Sequence, residues 1–247
     1  MKKLRNLSAF VVLFTALSFI SCETEPVDNE LVNNNQTEDP GTDPGTDPGT
    51  NPGTNPGTQT DSYWPLALGN EWIFDQNSTI EPAIIGSTEM VEGVSYFKFD
   101  QFFNAEVGGS ATALMRNEGG NYKVRIEANA MGTLITNLNY TILKENLNVG
   151  QTWTENVVQT ATIPGVGNID MNLTFTGEVL EKGITIVVNG VTYNNVMHTN
   201  MEMIGEGTSS NTEYWFAKNI GPVKVVHVGL GVDGGDRVLN LTSYTLN

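Results

Sequence analysis

The sequence has little cysteine, little histidine and little positive charge. Its 247 residues include one Cys, two His and 12 Lys and Arg against 28 Asp and Glu, which gives a formal net charge of −16. A single Cys excludes an internal disulfide framework and a multi-cysteine metal site. The shortage of basic residues argues against nucleic acid as a partner and against electrostatic adhesion to an anionic membrane. The length suits one domain with appendages.

The N-terminus has the pattern of an export signal. Basic residues at positions 2, 3 and 5 precede an apolar run at residues 7–20, LSAFVVLFTALSFI. This run is shorter than the roughly 20 residues that a membrane-spanning helix needs, and it is typical of a signal peptide. It is followed directly by Ser21 and Cys22, the only cysteine of the chain.

A small residue directly before a cysteine at the end of such a run resembles the signal of bacterial lipoproteins, although Phe19 stands where that signal usually has Leu. The resemblance implies that residues 1–21 are removed and that Cys22 carries acyl chains, which attach the protein to a membrane. The alternative is an ordinary cleavage site beside an incidental cysteine. The segment Glu23-Thr24-Glu25 resembles the acidic stretch that sends lipoproteins of Bacteroidota to the cell surface. We therefore expect a lipid-anchored protein of the outer membrane or cell surface.

Residues 22–62 have the composition of a stalk. Residues 39–58 are five copies of a four-residue unit, Asp/Asn-Pro-Gly-Thr, and residues 23–62 contain no basic residue. Because this segment has almost no apolar side chain to bury, it is predicted to be a disordered tether, spanning roughly 35 Å as a flexible coil. Calcium binding by the repeat is the alternative, but one carboxylate per unit is few for an ion that takes six to eight oxygens.

Residues 63–247 are predicted to form one all-β domain. All four Trp and all seven Tyr lie in this part of the chain. Apolar and polar residues alternate with a period of two, as in Met171, Leu173 and Phe175 against Asn172 and Thr174, and clusters of Gly, Asn and Asp separate such runs. The pattern predicts an antiparallel sheet of about twelve strands that is strongly curved, as a barrel or half-barrel, with a sandwich as the alternative.

Three phrases recur in the same order along this domain, which suggests a duplication of residues 63–145 as residues 146–247. Propensity alone could also produce such short phrases in a hairpin protein. The pairs are LALGNEW at 66–72 with LNVGQTW at 147–153, VEGVSY at 91–96 with VNGVTY at 188–193, and GNYKV at 120–124 with GPVKV at 221–225.

The phrases YWPLALGNEW at residues 63–72 and YWFAKNIGPV at residues 214–223 also resemble a broad group of uncharacterised bacterial lipoproteins with an all-β fold. The resemblance implies a secreted β-domain and supplies no activity. More distantly, such domains are similar to half-barrel lipoprotein and lipid carriers of the periplasm.

The tryptophans and methionines are the candidate ligand-facing residues. Trp72 and Trp153 follow a glycine turn and are predicted to be buried anchors at strand starts. Trp64 and Trp215 each sit beside another aromatic residue, so one ring of each pair can face outward. An inward methionine cluster would suit an apolar ligand or ordinary core filling; its members are Met171, Met197, Met201 and Met203.

Residues for catalysis or metal binding are scarce. His198 and Glu202 are four positions apart on one strand face, about 13 Å, which is too far for a shared metal. His227 lies in an apolar run and is predicted to be a hydrogen-bonded strand histidine. Asp233 and Asp236 are weak candidates for calcium ligands, although a plain hairpin turn explains them as well. No G-x-S-x-G elbow or phosphate loop is present, and we expect no cofactor.

The leading interpretation is a non-enzymatic, lipid-anchored envelope lipoprotein that presents a β-rich binding or interaction domain on a flexible stalk. Its partner beyond the membrane is left open between a protein, a glycan and an apolar ligand. The second interpretation is a carrier or sensor of an apolar ligand held by the curved sheet. The third is a secreted, glycan-acting hydrolase whose carboxylates meet only in the fold.

Overall fold

The computed structural model describes residues 61–76, 78–102, 109–130, 132–205, 208–229 and 235–247. The predicted signal peptide, Cys22 and all but the last two residues of the predicted stalk lie outside these residues. The described part of the chain contains no helix long and apolar enough to cross a membrane.

The described chain forms twelve β-strands. They are β1 (Glu71–Gln76), β2 (Thr79–Val91), β3 (Val94–Phe102), β4 (Gly109–Glu118), β5 (Asn121–Ala130), β6 (Thr133–Lys144), β7 (Thr152–Ile163), β8 (Gly167–Val188), β9 (Val191–Gly205), β10 (Thr208–Ala217), β11 (Gly221–Val228) and β12 (Arg237–Thr245).

The strands close into an antiparallel barrel in which each strand pairs with its neighbours along the chain. Closure comes from β1, in which Glu71 lies opposite Ile84 of β2 on one side and Thr245 of β12 on the other. The predicted all-β, antiparallel sheet of about twelve strands is confirmed. It forms a closed barrel, and neither the half-barrel nor the sandwich describes it.

Aromatic side chains fill the interior. A twelve-stranded barrel is wider than an eight-stranded one, whose own side chains just fill it. Here residues 63–66, which precede β1, contribute to the core. Trp64 is fully buried, and its ring centroid lies 6.3 Å from that of Trp72, 5.5 Å from that of Phe216 and 6.5 Å from that of Phe102. The chain leading into the barrel is therefore part of its core.

The two ends of the barrel differ. We call the end that holds residues 61–70 and the turn between β10 and β11 the stalk end, and the end that holds the turns β1–β2, β7–β8 and β9–β10 the far end. The C-terminus also lies at the stalk end, since the backbone N–H of Asn247 donates to Oδ1 of Asn70 over 2.8 Å. Residues 61 and 62, the last two of the predicted stalk, thus lie at the end of the barrel opposite the far end.

Hydrogen bonds fix residues 61–63 to the stalk end. Oδ1 of Asn219 accepts from the backbone N–H groups of Asp61 (2.8 Å) and Ser62 (3.2 Å), and the N–H of Asn219 donates to the Ser62 carbonyl over 2.7 Å. The Tyr63 N–H donates to Oε2 of Glu145 over 3.0 Å. Lys218 forms an ion pair with Asp61 over 2.7 Å. We call this set of contacts the entry clamp.

The repeated phrases occupy matching places in the two halves of the barrel. Gly69 and Gly150 both have φ of +79°, and their N–H groups donate over 2.8 Å to the carbonyls of Ile85 in β2 and Val179 in β8. The second phrase forms the β2–β3 and β8–β9 turns, and the third begins β5 and β11. The matching phrases thus lie at equivalent places in β1–β6 and in β7–β12, and the duplication of residues 63–145 as residues 146–247 stays a prediction.

Side chains close the junction between these halves. β6 and β7 pair only through residues 134–136 and 160–162 among the described residues. Farther along, the Trp153 indole N–H donates to the Thr141 carbonyl over 2.9 Å, and Glu155 accepts from the Thr141 N–H over 2.8 Å and from its hydroxyl over 2.6 Å. Trp153 and Glu155 therefore replace part of the backbone ladder. Trp72 and Trp153 are both buried at strand starts, as predicted.

Candidate functional site

A charged cluster lies inside the far end of the barrel. Three polar side chains lie at inward-facing positions, where they alternate along their strands in step with buried apolar residues: Gln76, Glu81 and Arg237. The Arg237 guanidinium donates to Oε1 of Glu81 over 2.6 Å through one Nη and to Oε1 of Gln76 over 2.5 Å through Nε. The Glu81 side chain has no exposed surface, whereas that of Arg237 is 26% exposed. A cation thus reaches the barrel opening while a buried carboxylate balances its charge.

His227 lies beside this cluster. It stands opposite Arg237 on β12 and Thr212 on β10, and the Thr212 hydroxyl lies 3.1 Å from Nδ1 of the imidazole. Burial, and then the positive charge of Arg237, lower the pKa of His227 to about 4. The imidazole is therefore neutral at pH 7. The predicted role of His227 as a hydrogen-bonded strand histidine is confirmed.

A second cluster lies on the outer surface, around Trp215. Its neighbours in sequence, Tyr214 and Phe216, are buried, so the indole faces outward. The His198 ring stacks on it with centroids 4.0 Å apart, and Nζ of Lys224 lies 4.6 Å from the indole centroid. Because these two groups pack on the indole, Trp215 is not an open aromatic platform.

Both nitrogens of His198 are engaged. Nδ1 lies 3.0 Å from a carboxylate oxygen of Glu181, and Nε2 lies 3.0 Å from one of Glu213. Each ring nitrogen is thus within hydrogen-bonding distance of a carboxylate. His198 and His227 lie on opposite faces of the wall, and the partners of His198 come from neighbouring strands. Glu202, four positions along its own strand, does not contact it in the described contacts.

The four candidate methionines all lie at inward-facing positions of β8 and β9, at different depths in the barrel. Met197 and Met201 are buried in the core. Met203 is partly buried against that core, and Met171 is half-buried near the start of β8 at the far end. Met171 and Met203 are thus the two candidate methionines nearest the barrel opening at the far end. Trp64, the remaining ligand-facing candidate, is wholly enclosed.

The weak calcium candidates receive no support as a pair. Asp233 lies outside the described residues, and Oδ1 of Asp236 accepts from the Gly229 N–H over 3.0 Å. Across the described residues, no three His, Cys, Asp or Glu side chains converge as a metal site would require.

The outer wall also has a crevice of about 310 Å³. Two of its carboxylates are paired, Glu127 with Arg125 over 3.1 Å and Glu89 with Lys98 over 2.8 Å. Its mixed charges indicate no particular ligand. The lining residues are Glu89, Met90, Val91, Glu92, Thr112, Leu114, Arg125 and Glu127.

Sequence reasoning missed the Glu81–Arg237 pair. A signal was present, because Glu81 shares its strand phase with Ala83 and Ile85, and Arg237 shares its phase with Leu239 and Leu241. A charge on an apolar phase indicates a buried charge. Nothing in the sequence, however, relates two residues 156 positions apart.

Comparisons with known proteins leave the function open. No protein-family model matches the sequence, and no curated protein matches it. Among solved structures, the chain is similar to a crystal structure described as "a putative lipoprotein from Parabacteroides distasonis ATCC 8503", with a TM-score of 0.41 and 8% sequence identity. The similarity covers 76% of this chain and 100% of that one. A likeness at this level assigns no function to the chain.

Proposed function

We propose that the chain is a lipid-anchored protein of the cell envelope that presents its barrel as a non-catalytic binding module. Acyl chains on Cys22 supply the membrane attachment that an acidic protein lacks. Residues 22–62 act as the stalk, and the cell surface is the proposed location.

The observation that carries the proposal is the position of the entry clamp. The clamp holds Asp61 and Ser62 against the turn between β10 and β11, so the stalk leaves the barrel at the stalk end. Because the stalk attaches at the opposite end of the barrel, a membrane anchor on it leaves the far end unobstructed. The far end is therefore the part of the barrel that is free to meet a partner.

The filled interior of the barrel argues for binding through exposed surfaces and against a carrier function. Trp64, Trp72 and Phe216 occupy the barrel near the stalk end, and Met197 and Met201 belong to the same core. An apolar ligand of ordinary size needs a concave site of several hundred Å³. The aromatic side chains take up space that such a ligand would need.

The anchoring is tested by Cys22→Ala, with Thr24→Ala as the matched control. We expect Cys22→Ala to move from the membrane fraction to the soluble fraction and to lose incorporation of labelled palmitate, whereas Thr24→Ala keeps both. Protease treatment of intact cells then tests surface display. Membrane retention of Cys22→Ala without acyl label would contradict the anchoring, and full protection from protease would contradict surface display.

A further inference from the structure

The start of β8 has a free edge among the described strands. Residues 167–173 pair with residues 157–163 of β7, whereas within the described residues β8 pairs with β9 only from Thr174, which lies opposite Ile204. Among the described strands, none occupies the other side of residues 167–173. The segment spans about 20 Å at the usual rise per residue, and it lies at the far end.

The register identifies the backbone groups at this edge. The Val179 N–H donates to the carbonyl of Gln151, and the β7–β8 pairing continues without a shift to Gly167. Alternate residues of an antiparallel strand bond to opposite neighbours. The odd-numbered residues of this segment therefore bond to β7, whereas Asn168, Asp170 and Asn172 direct their N–H and C=O groups toward the free edge.

The side chains beside the edge differ between its two faces. On the outer face, Asp170 accepts from the Thr160 hydroxyl over 2.8 Å, and residues 145–181 contain no Lys, Arg or His. On the inner face lie Ile169, which is 39% exposed, and the half-buried Met171. A strand added here would meet a carboxylate on one face and adaptable apolar side chains on the other.

Two occupants from the protein itself are unfavourable. The stalk repeat has a proline in each unit and is acidic, so it lacks the N–H groups of a regular strand and would bring like charge to Asp170. A second copy that paired its own edge antiparallel about Asp170 would place two aspartates opposite each other. The charge of the edge instead favours a basic partner.

We propose that residues 167–173 of β8 bind an extended segment of another protein, which adds to the barrel as a strand and alternates basic side chains toward Asp170 with apolar side chains toward Ile169 and Met171. Exposed edges are templates for such strand addition, in which backbone bonds supply affinity and alternate side chains supply specificity. The inference rests on the proposed role of the barrel as a binding module, and it names the class of partner.

The test uses the full chain in mild detergent and three synthetic heptapeptides with blocked ends. The first alternates Val with Lys, the second alternates Val with Glu, and the third keeps the charge of the first but has Pro at its central positions. Calorimetry should show saturable one-to-one binding of the Val-Lys peptide alone. Hydrogen exchange should slow at the amides of Asn168, Asp170 and Asn172.

Three variants at Asp170 separate backbone pairing from charge. Asp170→Asn removes the carboxylate alone, whereas Asp170→Pro removes the carboxylate and one edge N–H without breaking the bonds to β7. Asp170→Pro should therefore bind the Val-Lys peptide about tenfold or more weakly than Asp170→Asn. Asp170→Lys should exchange the preference, so that the Val-Glu peptide binds and the Val-Lys peptide does not. Asn156→Ala, on the outer face of β7, is the matched control and should bind like the unmodified protein. Thermal unfolding checks that each variant is folded, and if Asp170→Pro is not, Asn172→Pro replaces it.

Equal binding of the proline peptide would show electrostatic adsorption and overturn the proposal. The absence of saturable binding, or binding that Asp170→Pro and Asp170→Lys both leave unchanged, would overturn it as well. These outcomes are distinct from failure of the anchoring, which is read from the fractionation of Cys22→Ala and does not depend on the edge.

Discussion

Arg237 on β12 and Glu81 on β2 form an ion pair across the intervening strand β1, with 2.6 Å between the guanidinium and a carboxylate that has no exposed surface. The pair joins the two strands that flank β1. It therefore links β2 to β12 across β1, the strand that closes the barrel.

Removing the arginine should destabilise the barrel strongly. Arg237→Met leaves the buried Glu81 carboxylate without its cation, and breaking a buried pair in this way costs about 3–5 kcal/mol of unfolding free energy. The double variant Arg237→Met, Glu81→Gln should recover much of that loss, because the buried charge is gone as well. Urea unfolding of the three proteins at pH 7.5 measures this, and a double variant no more stable than the single one would contradict the ion pair.

Stability should depend on His227 in mildly acidic solution. The pKa of His227 is about 4 in the folded barrel, lowered by burial and by Arg237, against about 6.5 in an unfolded chain. Between these two pKa values only the unfolded state takes up the proton, so protonation of His227 favours unfolding. The contribution of His227 to the unfolding free energy is therefore complete above pH 7 and is lost progressively as the pH falls. At pH 5 the loss is about 2 kcal/mol.

The control is His227→Gln, which retains hydrogen-bonding groups near Thr212 but cannot titrate. Between pH 7.5 and pH 5, the unmodified protein should lose about 2 kcal/mol more unfolding free energy than this variant. Equal losses would show that His227 takes up its proton in the folded state as readily as in the unfolded one.

Gly177 provides space for the Trp153 indole at the junction of the two halves. A Cβ at Gly177 would lie 2.1 Å from Cζ2 of Trp153, whose ring is held by its hydrogen bond to Thr141. Gly177→Ala should therefore cost about 1–3 kcal/mol of unfolding free energy. In a Trp153→Leu background the same change should cost less, with a coupling of about 1 kcal/mol or more in the double-mutant cycle. Additive effects would mean that the two positions do not meet.

The entry clamp should open when Asn219 loses its side chain. Asn219 has φ of +63°, which glycine adopts readily, so Asn219→Gly removes the side-chain acceptor without straining the turn. We expect faster hydrogen exchange at the amides of Asp61 and Ser62. Asn189→Gly is the matched control, because Asn189 also has positive φ but donates to the Leu241 carbonyl. Unchanged exchange in Asn219→Gly would contradict the clamp.

Turns and strand faces were predictable from sequence because they depend on local geometry. Gly119 and Gly120 have φ of +57° and +90° in the turn between β4 and β5, which most other residues adopt only with strain. The alternation around Leu173 and Phe175 likewise identified the buried face of β8. Such features need only the residues next to them along the chain.

Closure and charge pairing were not predictable because they depend on distant residues. Whether Glu71 meets Thr245 is decided by the accumulated twist and stagger of twelve strands, which no local pattern records. The free edge of β8 depends in the same way on where β9 ends. The partners of His198 were likewise not predictable, since Glu181 and Glu213 come from other strands.

The entry clamp also determines how the barrel bears a mechanical load. In the tethered arrangement that we propose, tension along the stalk first meets the bonds from Asp61 and Ser62 to Asn219 and from Tyr63 to Glu145. These contacts pass the force to the β10–β11 turn and to the end of β6, on two separate parts of the wall. A pulling force on a tethered barrel is therefore distributed between two parts of the wall before it reaches β1. The strand that closes the barrel is thus protected from separating first.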